Sequence, residues 1–187
     1  MADINFSTTA SAPDRTAAAT IDGSGPDAGA AAAAPAAGEP QWEMIELLFF
    51  AYRDFIGDPD AILDAFDFGR AHHRVLHFVN RNPGMPVAEL LNILKITKQS
   101  LGRVLRELIE AGYVEQQTGE SDRRQRLLFA TARGRDLALR LAAPQSTRIA
   151  AALAALGPEG AAAAREFLRL MINAEERAET ARFVART

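Results

Sequence analysis

Apolar and polar residues divide the chain into an aperiodic stretch and a longer one in which helical spacing recurs. Residues 1–39 are rich in Ala, Gly, Pro, Ser, Thr and Asp, with almost no large apolar side chains. Such a segment cannot bury enough surface to offset its ordering entropy, and it is expected to be a disordered leader. Ala30–Ala34 favours helix, but Gly29 and Pro35 bracket it too tightly for a stable one. Periodicity begins at Trp42. Met44, Ile45, Leu47, Leu48, Phe49, Phe50 and Ala51 fall on nearly every side of a helix. That pattern implies burial all round, and in so small a chain a second subunit is the natural source of the extra cover. Gly57, Asp58 and Pro59 predict the end of this helix.

Asp67 has the chemistry to cap the next helix, with Ala71, Val75, Phe78 and Val79 as its core stripe. Asn82, Pro83 and Gly84 stop it. Pro86 then starts a short helix, Val87–Leu94, whose Val87, Leu90, Leu91 and Leu94 keep helical spacing. The turn Lys95-Ile96 leads into Thr97, an N-cap residue for a second helix that buries Leu101, Val104, Leu105, Leu108 and Ile109. Two helices joined by so tight a turn match a helix-turn-helix unit. Gly102 inside the second helix costs about 1 kcal/mol relative to Ala, which predicts close approach to the first helix or to DNA. Tyr113–Thr118 and Gln125–Ala130 read as two strands of a hairpin, with Gly119-Glu120-Ser121 at the turn. Thr131 caps a long helix reaching Leu156, about 37 Å if continuous at 1.5 Å per residue. Pro144 is expected to kink or break it. Gly157-Pro158-Glu159 restarts a helix carrying Phe167, Leu168, Leu170, Met171 and Ile172.

Charge changes the picture more than composition does. The net charge of −3 points to no partner, but it is unevenly distributed. Residues 1–69 hold 2 Arg against 12 Asp and Glu, while residues 70–135 hold 12 Lys and Arg against 6 acids. The basic segment coincides with the helix-turn-helix and hairpin, where a positive field would favour phosphate. Lys98, Gln99, Gly102, Arg103 and Arg106 fall on the outer surface of the second helix, and Asp122, Arg123 and Arg124 at the hairpin tip. There are no cysteines, which excludes disulfides, thiolate-bound zinc and thiol redox sensing within the chain. No apolar run is long enough to span a membrane, and the N-terminus lacks the pattern of a secretory signal. The expected location is the cytoplasm, in association with the nucleoid.

Over residues 42–175 the sequence resembles the MarR family of winged helix-turn-helix regulators. Asp122-Arg123-Arg124-Gln125-Arg126, followed by Thr131 and Gly134, is similar to the family's wing motif and the Thr-x-x-Gly that opens its long helix. Lys98–Leu108 is similar to its recognition helix. Ala130 departs from the Leu usual before the capping Thr, and the acidic leader lies outside the family pattern. The resemblance implies a mainly α fold with a small β-hairpin wing, built as a winged helix-turn-helix with N- and C-terminal dimerisation helices. With the leader (1–39) set apart by its composition, the expected division is an N-terminal dimerisation region (40–66), a DNA-binding domain (67–131) and C-terminal dimerisation helices (132–187). The resemblance also implies a homodimer on double-stranded DNA, acting as a repressor at a pseudo-palindromic operator.

Within that frame Gln99 and Arg103 are candidates for base edges, since Gln can bind adenine and Arg guanine bidentately. Thr97, Lys98 and Ser100 suit phosphate contacts that fix register, and Arg106 and Arg126 complete the DNA-binding set. By the resemblance Arg124 enters the minor groove, where a narrow groove concentrates negative potential, with Asp122 orienting it and Arg123 beside it. The plain alternative for these charges is a solvated turn with an exposed Asp122–Arg124 ion pair, worth little. His73 and His77, one turn apart, have a spacing that can hold a metal ion, but two imidazoles without a third ligand make a poor site and no metal is expected. Together with His72 they can instead line an effector cavity, or approach the phosphate backbone with Arg70 and Arg74. The resemblance places a small aromatic or phenolic ligand between the dimerisation helices and the wing domain, with Phe49, Arg53, Phe66, His73, Arg74 and His77 as candidate lining. No phosphate loop, nucleophile elbow or metal-ligand series is present, so neither an enzyme nor a cofactor is expected. The competing reading is a non-specific or architectural DNA binder without an effector.

Overall fold

The structure, a computed structural model, describes residues 39–119 and 122–185. The expectation of a disordered leader falls almost wholly outside them, and the elements belong to the compact unit Gln41–Thr187. They are α1 (Trp42–Leu63), a 3-10 turn (Asp64–Phe66), α2 (Arg70–Arg81), β1 (Met85–Pro86), α3 (Val87–Leu94), α4 (Lys98–Glu110), β2 (Val114–Thr118), β3 (Arg126–Ala130), α5 (Ala132–Met171) and α6 (Arg177–Val184). This is the mainly helical winged helix-turn-helix that the pattern predicts. The sheet has three strands rather than two, in the order β1-β3-β2 and antiparallel throughout. Met85 pairs with Leu128 and Pro86 with Leu127. Two residues ending in proline leave no alternation to read, so β1 has no sequence signature. Across the hairpin Val114 faces Ala130 and Thr118 faces Arg126.

One apolar core joins these elements. It includes Leu63 of α1, Val75, Leu76 and Val79 of α2, Leu90 of α3, and Leu101, Val104, Leu105 and Leu108 of α4. Tyr113, Val114, Leu128 and Ala130 extend it through the sheet, and Leu137 and Leu141 close it from α5. The expected stripes need two corrections. Ala71 is exposed and Leu76 is buried instead, because the inward positions of α2 run 72, 75, 76 and 79. Ile109 lies on the exposed edge of α4.

Three helix boundaries also differ from expectation. Gly57, Asp58 and Pro59 do not end α1, which continues to Leu63 with Pro59 inside it. A proline there removes the bond to the carbonyl four residues back, and that carbonyl, of Phe55, accepts from the Gln145 Nε2 amide of α5 at 3.3 Å. The freed acceptor is thus satisfied across the helix pair. Asp67 does not cap α2. It takes a left-handed conformation (φ 56°) after the 3-10 turn, and Gly69 is the N-cap. Pro144 does not break α5, whose one non-helical residue is Gly157 (φ 68°, ψ 178°). Gly157 precedes Pro158, and the residue before a proline is kept out of the helical region. The break therefore belongs to the Gly-Pro pair.

The start of α5 is the tightest junction in the fold. Thr131 Oγ1 accepts from the Gly134 amide at 3.0 Å and donates to the Gly112 carbonyl at 2.8 Å. The Thr131 amide donates to the Tyr113 carbonyl at 3.1 Å. A Cβ on Gly134 would lie 1.9 Å from that same carbonyl oxygen, so the helix can seat here only with glycine. A Cβ on Gly102 would meet nothing within 4 Å, so no helix packs closely against it. The two alanine substitutions should therefore have opposite effects in urea unfolding at fixed protein concentration. Gly134→Ala should destabilise by about 3 kcal/mol or more, as overpacking against backbone does. Gly102→Ala should stabilise by up to about 1 kcal/mol. Equal effects would contradict the packing described.

Candidate nucleic-acid interface

The outer face of α4 is set by its cap and its buried side. Lys95 adopts a left-handed conformation (φ 52°) that turns the chain out of α3. Thr97 is extended, and its Oγ1 accepts from the Ser100 amide at 3.1 Å. With Leu101, Val104, Leu105 and Leu108 turned into the core, Thr97, Lys98, Gln99, Ser100, Arg103 and Arg106 all stand exposed. The helix N-terminus adds its partial positive charge to Lys98 and to the N-terminal amides, which suits a phosphate oxygen. Gly102 is also exposed, so close approach to α3 is not its role.

The wing turn is held by backbone bonds. Asp122 Oδ1 accepts from the Arg124 amide at 2.9 Å, a side-chain turn that mimics a backbone one. The Gln125 amide donates to the Asp122 carbonyl at 3.0 Å, and the Gly119 amide to the Gln125 carbonyl at 3.1 Å. Asp122 therefore shapes the turn through Arg124's backbone, and no Asp122–Arg124 ion pair forms among the described residues. Arg123 and Arg124 are exposed, and Arg126 is braced by Thr118, its Nη1 donating to Oγ1 at 2.7 Å. Glu120 and Ser121 lie outside the described residues.

The three histidines separate. His72 occupies the inward stripe of α2 and faces α4, with Nε2 2.6 Å from Glu107 Oε2. Glu107 Oε1 in turn accepts from Arg103 Nε at 2.9 Å. His73 and His77 line a cavity of about 200 Å³ with Arg74 and Phe78 of α2, Tyr52, Phe55 and Ile56 of α1, and Gln145 of α5. Arg70 and Asp60 complete the lining and pair with each other at 2.8 Å. Of the six expected lining residues the structure brings together His73, Arg74 and His77. Phe49 is 69% exposed, and Arg53 pairs with Asp54 over the Phe50 ring. Phe66 packs edge-on against Tyr113. The reason is helical phase: residues 55, 56, 59 and 63 of the extended α1 turn toward the fold and the half-exposed Tyr52 lies at the cavity's edge, while 49 and 53 do not reach it. Among the described residues no three potential metal-ligand side chains converge, and no helix is long and apolar enough to cross a membrane.

A capped helix with an exposed polar face, followed by a hairpin with arginines at its tip, defines a DNA-binding protein of the winged helix-turn-helix class. Comparison with known proteins agrees. The model of the MarR family matches residues 66–125. The helix-turn-helix transcriptional regulator PetP of Rhodobacter capsulatus is 50% identical over 129 residues, which cover 69% of this chain and 78% of that protein. Two solved structures share the fold at low identity. FabT of Streptococcus pneumoniae in complex with DNA has a TM-score of 0.62 at 17% identity, covering 69% of this chain and 92% of that one. NadR in complex with 4-hydroxyphenylacetate has a TM-score of 0.60 at 21% identity, covering 75% and 99%. The chain belongs to the MarR family of transcriptional regulators.

The cavity histidines carry a pH signature. Burial holds the His73 pKa below the ordinary value of 6.5, and the neighbouring His77 adds to the effect. His77 is lowered by burial and by Arg81, but much of its side chain stays open to solvent, so the weight falls on His73. A folded-state pKa below the unfolded one means that the unfolded chain binds the proton first. Stability from His73 is thus fully present above pH 6.5 and lost as pH falls through its folded value. Urea midpoints of the parent should fall below pH 6.5 more steeply than those of His73→Gln. Superimposable profiles would contradict a half-buried neutral imidazole.

Proposed function

We propose that the protein is a homodimeric repressor that reads a pseudo-palindromic operator and is released by a small aromatic or phenolic anion. Residues 67–131 bind DNA, and 40–66 and 132–187 join two copies. The observation that carries the reading is the exposed polar face of α4 beside the arginine-tipped wing. Gln99 and Arg103 meet base edges in the major groove, while Thr97, Lys98, Ser100 and Arg106 fix register on phosphate. Arg124 enters the minor groove, flanked by Arg123 and Arg126 on a turn shaped by Asp122.

The second copy is supported by apolar surface without cover. Trp42 is 64% exposed, Leu47 54%, Phe49 69% and Leu168 61%. So many large side chains on α1 and the end of α5 exceed what a monomeric surface carries, and an isologous pairing would bury both stretches at once. Two α4 helices would then face half-sites about one helical turn apart. The anionic ligand is supported by the chemistry of the cavity, with aromatic Tyr52, Phe55 and Phe78 beside Arg74 and neutral His73. NadR, which has the same fold, is seen with 4-hydroxyphenylacetate. A route to DNA runs along α2, which lines the cavity through His73 and Arg74 and bonds α4 through His72.

Operator binding, on a site selected from random DNA, tests the three parts together. The parent should bind as a dimer, with a log–log salt slope set by its phosphate contacts. The double variant Phe49→Asp, Leu168→Asp should become monomeric by sedimentation and lose about 100-fold or more in affinity, as loss of one half-site requires. A panel of aromatic carboxylates should weaken binding by the parent. Selection of no consensus site would instead favour a non-specific binder, and an inert panel would remove the effector.

A further inference from the structure

We propose that Glu107 and His72 are positioning residues for base reading, holding the Arg103 guanidinium in one orientation on the outer face of α4. They thereby set discrimination at the base pair Arg103 meets. The inference rests on the proposed placement of α4 in the major groove.

The Arg103 side chain is 80% exposed, and a free guanidinium on a flexible stem loses that freedom when it binds. Specific recognition gains from holding it beforehand. An exposed pair one helical turn apart would not by itself do so, since such pairs are worth little. Here the carboxylate is itself anchored. Glu107 Oε1 accepts from Arg103 Nε at 2.9 Å, and Oε2 lies 2.6 Å from His72 Nε2. The Gly69 amide donates to His72 Nδ1 at 3.1 Å. That nitrogen must offer its lone pair, so Nε2 carries the proton and donates to Glu107.

The His72 side chain is 12% exposed and its ring stacks on Phe68 at 4.6 Å. Phe68 meets Tyr113 of the core edge-on at 5.2 Å. A continuous series of packed and hydrogen-bonded groups therefore runs from the core to Arg103. Engaging Nε leaves the terminal guanidinium nitrogens for guanine O6 and N7, the acceptors such a fork pairs with. Hydrogen bonds from Arg103 and then from His72 hold the Glu107 carboxyl below the usual carboxylate range, so it stays an acceptor. A carboxylate adds nothing to phosphate affinity. Its contribution falls on selectivity.

The test uses the full-length protein on its selected operator, with every base pair substituted in turn and binding followed by anisotropy at two salt concentrations. Arg103→Ala should lower preference at one base pair by about tenfold or more, as loss of a bidentate contact does. Glu107→Gln keeps the shape but places an amide donor against Arg103 or His72. It should lower preference at that same pair by about threefold to tenfold, through weaker binding of the best site with mismatched sites little changed, and leave the salt slope close to the parent's. His72→Phe keeps the ring on Phe68 and should behave alike, with unfolding midpoints measured to separate loss of fold. If Glu107→Gln keeps full preference while Arg103→Ala loses it, positioning is overturned and base reading stands. If Glu107→Gln weakens all sequences equally, its role is structural and the proposal fails. If Arg103→Ala also keeps its preference, the major-groove reading falls and takes the proposal with it.

Discussion

The Tyr113 carbonyl is the point on which the geometry of this molecule depends. Its residue follows directly from α4, the Tyr113 amide donating to the Leu108 carbonyl at 2.8 Å. The carbonyl itself receives the Thr131 amide and presses against Gly134. The ring fills the space between Phe66 and Phe68, with the Arg133 guanidinium 4.3 Å above it. Helix α4, the wing and the long helix α5 therefore share one rigid joint, and a buried acceptor there has to be paired. The Thr-x-x-Gly motif is the sequence form of that demand: a hydroxyl to cap the helix, and a missing Cβ to let it approach.

From this joint the chemistry divides between two helices. α4 turns its apolar side inward and leaves Lys98, Gln99, Ser100, Arg103 and Arg106 in solvent. α2 serves two neighbours. Its position 72 bonds α4, and positions 73, 74 and 77 line the cavity against α1 and α5. Adjacent residues thus serve different neighbours, as a helix packed on several sides allows. The arginines of the cavity are treated unequally, since Arg70 is neutralised by Asp60 while no ion pair to Arg74 is present among the described residues.

Most elements were legible in the sequence where the signal is local. Thr97 and Thr131 accept the amides that cap chemistry predicts, and the hairpin strands fall within a residue of their expected limits. What stayed hidden depends on partners distant in sequence. Pro59 reads as a helix stop until Gln145, 90 residues beyond Phe55, takes up the carbonyl that the proline leaves free. Met85–Pro86 becomes a strand only because β3 is beside it. The histidines looked like one cluster because sequence spacing does not say which helix faces which. Glu107 stands i, i+4 to Arg103, but nothing local in the sequence marks such a pair as anchored by His72. The expected cavity residues Phe49 and Arg53 failed for a similar reason: the phase of α1 is set by its packing on α5.

In the proposed complex α4 and the wing contact one face of duplex DNA from two copies of the chain. Hydroxyl-radical footprinting of the full-length protein on a selected operator tests it most directly, because cleavage reports access to the sugar edge of the minor groove. The expected result is two-fold symmetric protection, with a central region for the two α4 helices and outer minor-groove patches for the two wings, the half-site centres about one helical turn apart. In Arg124→Ala the outer patches should disappear while the central protection remains. A single asymmetric footprint, or outer patches unchanged in that variant, would contradict it.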